Sequence, residues 1–167
     1  MTQWIINTVK FNGEEENVMK LMRKFSSLAH QDYTNVNGID LVPEKNINPK
    51  LFGVIQSYSC DGVAFISEEP LIDELIEIAD YHKVNFELQY NCWNAFNFGR
   101  MDYYYETQTE NSLFFYEDEL KDIEFDSESQ VYRYDGTEFS HKTKLEKFIF
   151  DRAEREKQLD LIFKQLE

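Results

Sequence analysis

The sequence predicts an α+β protein, and three patterns support this. Fourteen Phe and ten Tyr in 167 residues indicate a packed core, because disordered acidic chains are poor in aromatic residues. Residues 84–91 alternate strictly between apolar and polar side chains, which is typical of a strand with one buried face. Residues 142–166 carry an apolar stripe at helical spacing. Runs of strands and helices mixed in this way define the α+β class.

The first half of the chain is predicted to follow the order β-α-β-β-α-β. Asn12 is the expected N-cap of the first helix, since Glu15 three residues later completes a capping box. Asp61-Gly62 favours a tight hairpin, and Pro70 suits the first turn of the second helix. The predicted elements are a strand over the first ten residues, a helix ending near 31, an irregular proline-containing connection over 39–50, strands over 52–58 and 63–66, a helix from 70, and a strand over 84–91.

The second half is predicted to be a β-rich extension followed by one long helix. Strands are expected over 100–107, 112–116, 121–125 and 131–134, with a turn at 135–136. The helix runs from Lys142 to Leu166, with Thr143 and Glu146 spaced as a capping box. We expect its stripe to cover the open face of the sheet; the alternative is pairing with its copy in a homodimer.

Several short segments between residues 4 and 105 match a known pattern. They are Trp4 and Asn7 followed by Gly13, the apolar-then-proline run 39–44, the stretch 70–90, and the step Phe98-Gly99. Together they resemble the YubB-type ferredoxin-like family of small proteins carried mainly by plasmids and phages. The resemblance implies a ferredoxin-like split β-α-β core over residues 1–98 and a mobile-element setting. It implies no site residues. Residues 99–167, the acidic aromatic extension and terminal helix, are then expected to pack on that core as one domain.

The negative charge of the chain is confined to its middle. Residues 61–128 hold 18 acidic and three basic side chains, whereas residues 1–60 hold six of each and residues 129–167 eight of each. The net charge of −15 therefore belongs to one block. Phosphates repel such a surface, so direct nucleic-acid binding is disfavoured. The six glycines are isolated, and no phosphate-binding loop is visible.

Compartment and cofactor expectations follow from what the sequence lacks. No apolar run reaches the roughly 20 residues that a transmembrane helix needs, and the first residues do not resemble a signal peptide. Cys60 and Cys92 are most simply reduced core thiols. These observations predict a cytoplasmic protein that does not associate with membranes. No cofactor and no metal are expected.

No catalytic residue is predicted. His141-Lys142-Thr143 has the His-x-Thr form of two-histidine phosphoesterases, but neither His30 nor His82 supplies the second motif that this chemistry requires. The dense carboxylates between Glu117 and Asp126 leave a carboxylate-based or metal-dependent hydrolase as one alternative. A structural protein of a mobile element is the other.

Aromatic side chains are concentrated between Tyr90 and Tyr116. Strand alternation sends Tyr103 and Tyr105 to one face and Tyr104 to the other, so one set is core and the other is either covered by the terminal helix or exposed. An exposed aromatic face rimmed by carboxylates suits a protein interface. The predicted partner-binding residues are Asp102, Tyr103, Tyr104, Tyr105, Glu106, Glu110, Phe114, Tyr116, Glu117, Asp118, Glu119 and Asp122.

The acidic middle and the absence of a catalytic set together predict a non-catalytic binding protein, monomeric or homodimeric, that engages a protein partner. In its sharpest form the protein is an inhibitor that mimics nucleic-acid charge and binds a basic nucleic-acid-binding protein.

Overall fold

The computed structural model describes residues 4–29, 54–92 and 95–166. Their contacts divide the chain into two compact units, Met1–Phe114 and Phe115–Glu167. The first unit contains β1 (Ile5–Gly13), α1 (Glu15–Ala29), β2 (Val54–Tyr58), β3 (Gly62–Ser67), α2 (Ile72–His82), β4 (Val84–Cys92), β5 (Phe98–Tyr104) and β6 (Thr109–Phe115, whose last residue falls in the second unit). The second contains a short 3-10 turn (Glu117–Glu119), β7 (Glu124–Asp126), β8 (Val131–Tyr134), β9 (Thr137–Phe139) and α3 (Lys142–Leu166).

The first unit is built on one sheet of strand order β2-β3-β1-β4-β5-β6. β1 lies near the centre and is antiparallel to both β3 and β4, while β2 pairs with β3 and β4 with β5 in the same antiparallel sense. The predicted α+β class is confirmed, and so is the order of strands and helices predicted up to residue 91.

The core lies between one face of this sheet and the two helices α1 and α2. β4 buries every second residue, as its alternation predicts, and β1 does the same from Ile5 to Phe11. On α1, the side chains at helical spacing, Val18, Leu21, Met22 and Phe25, are buried. On α2 the buried residues are Leu75, Ile78 and Ala79. Each fully buried Leu, Ile or Phe contributes about 1.5–3 kcal/mol of transfer free energy.

The opposite face of the sheet is polar. Thr8, Lys10, Glu87 and Gln89 are exposed there. Register pairing places Lys10 beside Glu87, and Glu87 beside Asp102 on β5. A surface of this composition is stable in water.

The second unit joins a three-stranded sheet, β7-β8-β9, to the first half of α3. Leu145 and Ile149 of α3 are buried, and the ring of Phe148 lies 5.1 Å from that of Phe139. The last turns of α3, which carry the remainder of the predicted apolar stripe, are exposed. Four large apolar residues of the last turns are more than half exposed, namely Leu159, Leu161, Ile162 and Phe163.

Both predicted capping boxes are wrong. Asn12 lies within β1, where its Oδ1 accepts from Asn85 Nδ2 at 3.2 Å, and α1 begins only at Glu15. The carbonyl of Glu14 accepts the first amide bonds of that helix. α3 has the predicted bounds, but Thr143 lies inside its first turn and is not the N-cap. The carbonyl of His141, just before the helix, accepts hydrogen bonds from the amides of Lys144 and Leu145.

Other local expectations were partly wrong. β5 begins two residues earlier than predicted and ends at Tyr104, and the following turn places Gln108 at φ 50°. β7 is shorter than the predicted strand over 121–125 and begins at Glu124. Cys92 is buried as expected, but Cys60 is exposed in the β2–β3 turn and is not a core thiol. His30 and the predicted connection over 39–50 lie outside the described residues.

Candidate interaction surface of the acidic middle

The β5–β6 hairpin sorts the three consecutive tyrosines by alternation. Tyr103 points into the core, where its ring stacks on Phe86 with centroids 5.4 Å apart. Its hydroxyl donates a 2.8 Å hydrogen bond to Asp80 Oδ1 on α2. Burial, followed by this hydrogen bond and by the charges of Asp80 and Glu110, raises the pKa of Tyr103 to about 12. Tyr103 therefore ties the hairpin to α2, and this burial removes it from the predicted surface.

Tyr104 takes the opposite direction and is 48% exposed. On the same polar face, two residues earlier, lies the half-buried Asp102. Asp102 sits directly across from Glu87, and two like charges in that position repel each other. The two carboxylates are held together by strand pairing rather than by their own interaction, and Lys10 and Arg100 lie in the same shallow depression of this face.

The end of the hairpin adds further carboxylates. Tyr105 is half-buried; its amide donates to Asn85 Oδ1 at 3.1 Å and its hydroxyl to Glu106 Oε1 at 3.1 Å. Burial, and then the Glu106 carboxylate, raise the pKa of Tyr105. Glu106 and Glu110 are exposed. We call Asp102, Tyr104, Tyr105, Glu106 and Glu110 the hairpin group.

Phe114 supports the hairpin from β6. Its ring centroid lies 5.9 Å from that of Tyr90, and both rings cover Gly99. A Cβ on Gly99 would stand 2.6 Å from a ring carbon of each. Phe114 is half-buried, and these contacts make it a packing residue for the base of the hairpin.

The remaining predicted residues belong to the second unit. Tyr116 is 48% exposed and precedes the 3-10 turn, where Glu119 Oε2 accepts the Tyr116 amide at 3.2 Å. Glu117, Asp118, Glu119 and Asp122 are exposed. We call these five residues the turn group. The twelve residues predicted from the sequence thus fall into two groups, one in each unit, plus the two packing residues Tyr103 and Phe114.

Several carboxylates of the hydrolase alternative have structural partners. Asp126 Oδ1 accepts from the amides of Glu128 and Ser129, and its Oδ2 accepts from the Ser129 hydroxyl at 2.8 Å. These hydrogen bonds, from the Ser129 hydroxyl first, lower the pKa of Asp126. Arg133 contacts both Asp126 and Glu138. Across residues 4–29, 54–92 and 95–166, no three His, Cys, Asp or Glu side chains are grouped so as to hold a metal ion.

One feature that the sequence reasoning missed is a cationic cavity of about 590 Å³ between α1 and α2. Its lining includes four cations, Lys20, Arg23, Lys24 and Lys83. The first three have i, i+3, i+4 spacing, which places them on one helix face and was the available signal. The fourth comes from 59 positions further along the chain, and only the fold brings it to them.

No family model matches the chain, and neither does any curated protein or solved structure. The resemblance to the YubB-type family therefore stays a prediction. Within the described residues, no helix has the length and apolar character needed to cross a membrane.

Proposed function

We propose that this chain is a non-catalytic binding protein that engages a protein partner through the acidic aromatic surface of its middle. The observation that carries the proposal is the hairpin group, in which an exposed tyrosine stands among carboxylates on a paired β-hairpin. Aromatic side chains with fixed backbones supply most of the energy of protein interfaces, and surrounding charge selects the partner.

The sharpest form of the proposal is an inhibitor that mimics nucleic-acid charge. Support comes from the 18 acidic and three basic residues between positions 61 and 128, which include both the hairpin group and the turn group. A field of one sign steers a basic partner toward the surface and accelerates association. A cytoplasmic setting and an origin on a phage or plasmid are part of this proposal, and they rest on the sequence alone.

We also propose a ferredoxin-like classification for the first unit. Its support is the strand order β2-β3-β1-β4 with each neighbouring pair antiparallel, which is the arrangement that two interleaved split β-α-β units generate. In this view the β5–β6 hairpin extends the sheet beyond β4.

The test compares capture of bacterial proteins by the wild type and by Glu106→Gln/Glu110→Gln. Both replaced residues are exposed and the fold loses no buried contact, so stability should change little. The matched control is Asp73→Asn/Glu77→Gln, which removes the same two charges from exposed positions of α2. We expect a partner that the wild type and the control capture and the hairpin variant does not.

Tyr104→Ala separates the aromatic contribution from charge. Tyr104→Ala should weaken capture at both low and moderate salt, because salt does not screen the contact of an aromatic side chain as it screens charge. Equal loss in the hairpin variant and the α2 control would reduce the effect to net charge and contradict the proposal. So would the absence of any enriched protein at both low and moderate salt.

The mimic form has its own outcome. If the captured partner binds nucleic acid, duplex DNA should displace it from the protein, and displacement should require less DNA as the salt concentration falls. A partner that binds DNA and this protein simultaneously would disprove mimicry while leaving the binding function in place.

A further inference from the structure

The cationic cavity between α1 and α2 carries positive charge, whereas the chain as a whole is strongly negative. Residues 1–128 hold nine basic side chains against 24 acidic ones, yet four of the nine line this one concavity. Lys83 is one of just three basic residues between positions 61 and 128. A lining of this composition suits an anion, and a volume of about 590 Å³ is within the range of small-molecule sites.

Ordinary helix electrostatics accounts for only one cation of the cluster, because Lys83 is the C-cap at the negative end of α2. Cations favour the last turn of a helix, where they meet the negative end of the dipole. The last turn of α1 has no basic residue; Lys20, Arg23 and Lys24 lie earlier in the helix. Glu16 forms a 2.7 Å ion pair with Lys20. Arg23 and Lys24 are not at positions that the dipole of α1 stabilises, and Lys83 does not belong to that helix.

Lys83 occupies a position that its residue type disfavours. It follows α2 as the C-cap with φ 54° and ψ 53°, the left-handed region in which glycine is normally found. Its amide hydrogen bonds toward the carbonyls of Ala79 and Asp80, and glycine would make these equally well. A lysine here strains the backbone, and it adds a charge both at the negative end of α2 and at the cavity wall.

The aromatic part of the wall is close to the cations. Lys24 Nζ lies 5.8 Å from the ring centroid of Tyr81, a cation–π distance, and Tyr81 is 55% exposed. Tyr81 meets the neighbouring His82 ring edge to face at 5.0 Å. The cavity therefore combines several charged donors with one accessible aromatic face.

We propose that this cavity binds a small phosphate-bearing anion, with Arg23, Lys24 and Lys83 as its charged donors. Arg and Lys make their strongest hydrogen bonds to phosphate oxygens, and Arg does so in bidentate geometry. Several cations around one cavity match a ligand with two or three negative charges, such as a diphosphate group. Partial burial lowers the pKa of Lys24.

The inference is independent of the proposed protein-binding surface, because a basic partner and a phosphate have opposite charge. The primary experiment is calorimetric titration of the full chain with pyrophosphate at low salt. We expect saturable binding at one site. Arg23→Gln should weaken it roughly tenfold, the value of one charge-assisted hydrogen bond.

Lys83→Gly distinguishes a ligand-binding role from a structural one. Glycine relieves the left-handed strain, so the unliganded variant should melt about 2–4 °C higher than the wild type. At the same time its affinity for pyrophosphate should fall roughly tenfold. The matched control is Lys10→Gln, which removes one lysine charge from the polar face of the sheet, where Lys10 Nζ lies 3.7 Å from Asp61. The control should bind pyrophosphate as the wild type does.

The affinities for inorganic phosphate, pyrophosphate and a nucleoside diphosphate, compared with one another, identify the kind of phosphate ligand. Inorganic phosphate weaker than pyrophosphate supports a multiply charged ligand. A nucleoside diphosphate tighter than pyrophosphate, with the gain lost in Tyr81→Ala, supports a nucleotide whose base contacts that ring. The proposal is overturned if pyrophosphate gives no saturable binding, or if Lys10→Gln weakens binding as much as Arg23→Gln and Lys83→Gly.

Discussion

At the scale of single residues, Gly99 is constrained by the two rings above it. It pairs with Tyr90 across β4 and β5, and the ring of Phe114 covers it from β6. Gly99→Ala would place a Cβ at 2.6 Å from both rings, so one ring must move. We expect a loss of about 1–3 kcal/mol in the free energy of unfolding, the usual cost of overpacking.

The comparison variant for Gly99→Ala is Gly136→Ala, because Gly136 has open space around its Cβ position but a φ of +72°. It should cost about 1 kcal/mol through backbone strain alone. Denaturant unfolding measures both. Gly99→Ala as stable as the wild type would mean that β6 does not hold Phe114 against the sheet.

His82 makes the stability of the first unit depend on pH. Burial, and then the charge of Lys24, lower its pKa from 6.5 to about 4, so the folded chain holds it neutral. The unfolded chain takes up a proton in the window between these values, and stability falls as pH decreases from about 7 toward 4. Above about pH 7 His82 is neutral in both the folded and the unfolded chain, so it no longer lowers the free energy of unfolding.

His82→Gln removes this proton uptake. The difference in melting temperature between pH 7.5 and pH 4.5 should be smaller in His82→Gln than in the wild type, since the carboxylates contribute to both proteins alike. Thermal melts of the two proteins at both values make the measurement. An unchanged difference would show that His82 titrates with an ordinary pKa in the folded chain.

At the scale of elements, the two halves of α3 have different roles. Leu145 is fully buried beside the β8–β9 hairpin, whereas Leu161 is 54% exposed. We therefore expect Leu145→Ala to cost about 2–5 kcal/mol of stability and Leu161→Ala less than about 0.5 kcal/mol. Chemical unfolding of the two variants tests the contrast. Comparable losses at both positions would mean that the last turns are covered in solution, as they would be in a dimer.

Local patterns predicted the elements, and long-range pairing decided their ends. Residues 84–91 alternate between apolar and polar side chains without interruption, and this local pattern was enough to predict β4 correctly. Asn12 and Glu15 have the spacing of a helix start, but pairing with Asn85, 73 positions away, keeps Asn12 in β1. The sequence also predicted that Tyr103 and Tyr104 face opposite ways. Which one is buried depends on Phe86 and Asp80, and hence on the assembled sheet.

At the scale of the whole molecule, the acidic block extends over both units. Of its 18 acidic residues, 11 lie between positions 61 and 114 and seven between 115 and 128. They form one run in the sequence, and the fold places 12 of the 18 on α2, β4, the hairpin group and the turn group. Variants of the hairpin group leave the turn group intact, so the two surfaces can be assessed separately. The cationic cavity is the local exception to this field.

The position of β1 also sets the timing of folding during synthesis. This strand is made early, but its neighbour β4 ends at Cys92, and both of its edges stay open until β3 and β4 are available. At roughly 5–20 residues per second the ribosome needs several seconds to make the residues between them. Until β3 and β4 have both been made, the sheet that buries Ile5, Val9 and Phe11 is incomplete. Pairing over such sequence separations folds slowly, because the entropy of loop closure is lost before the native contacts form.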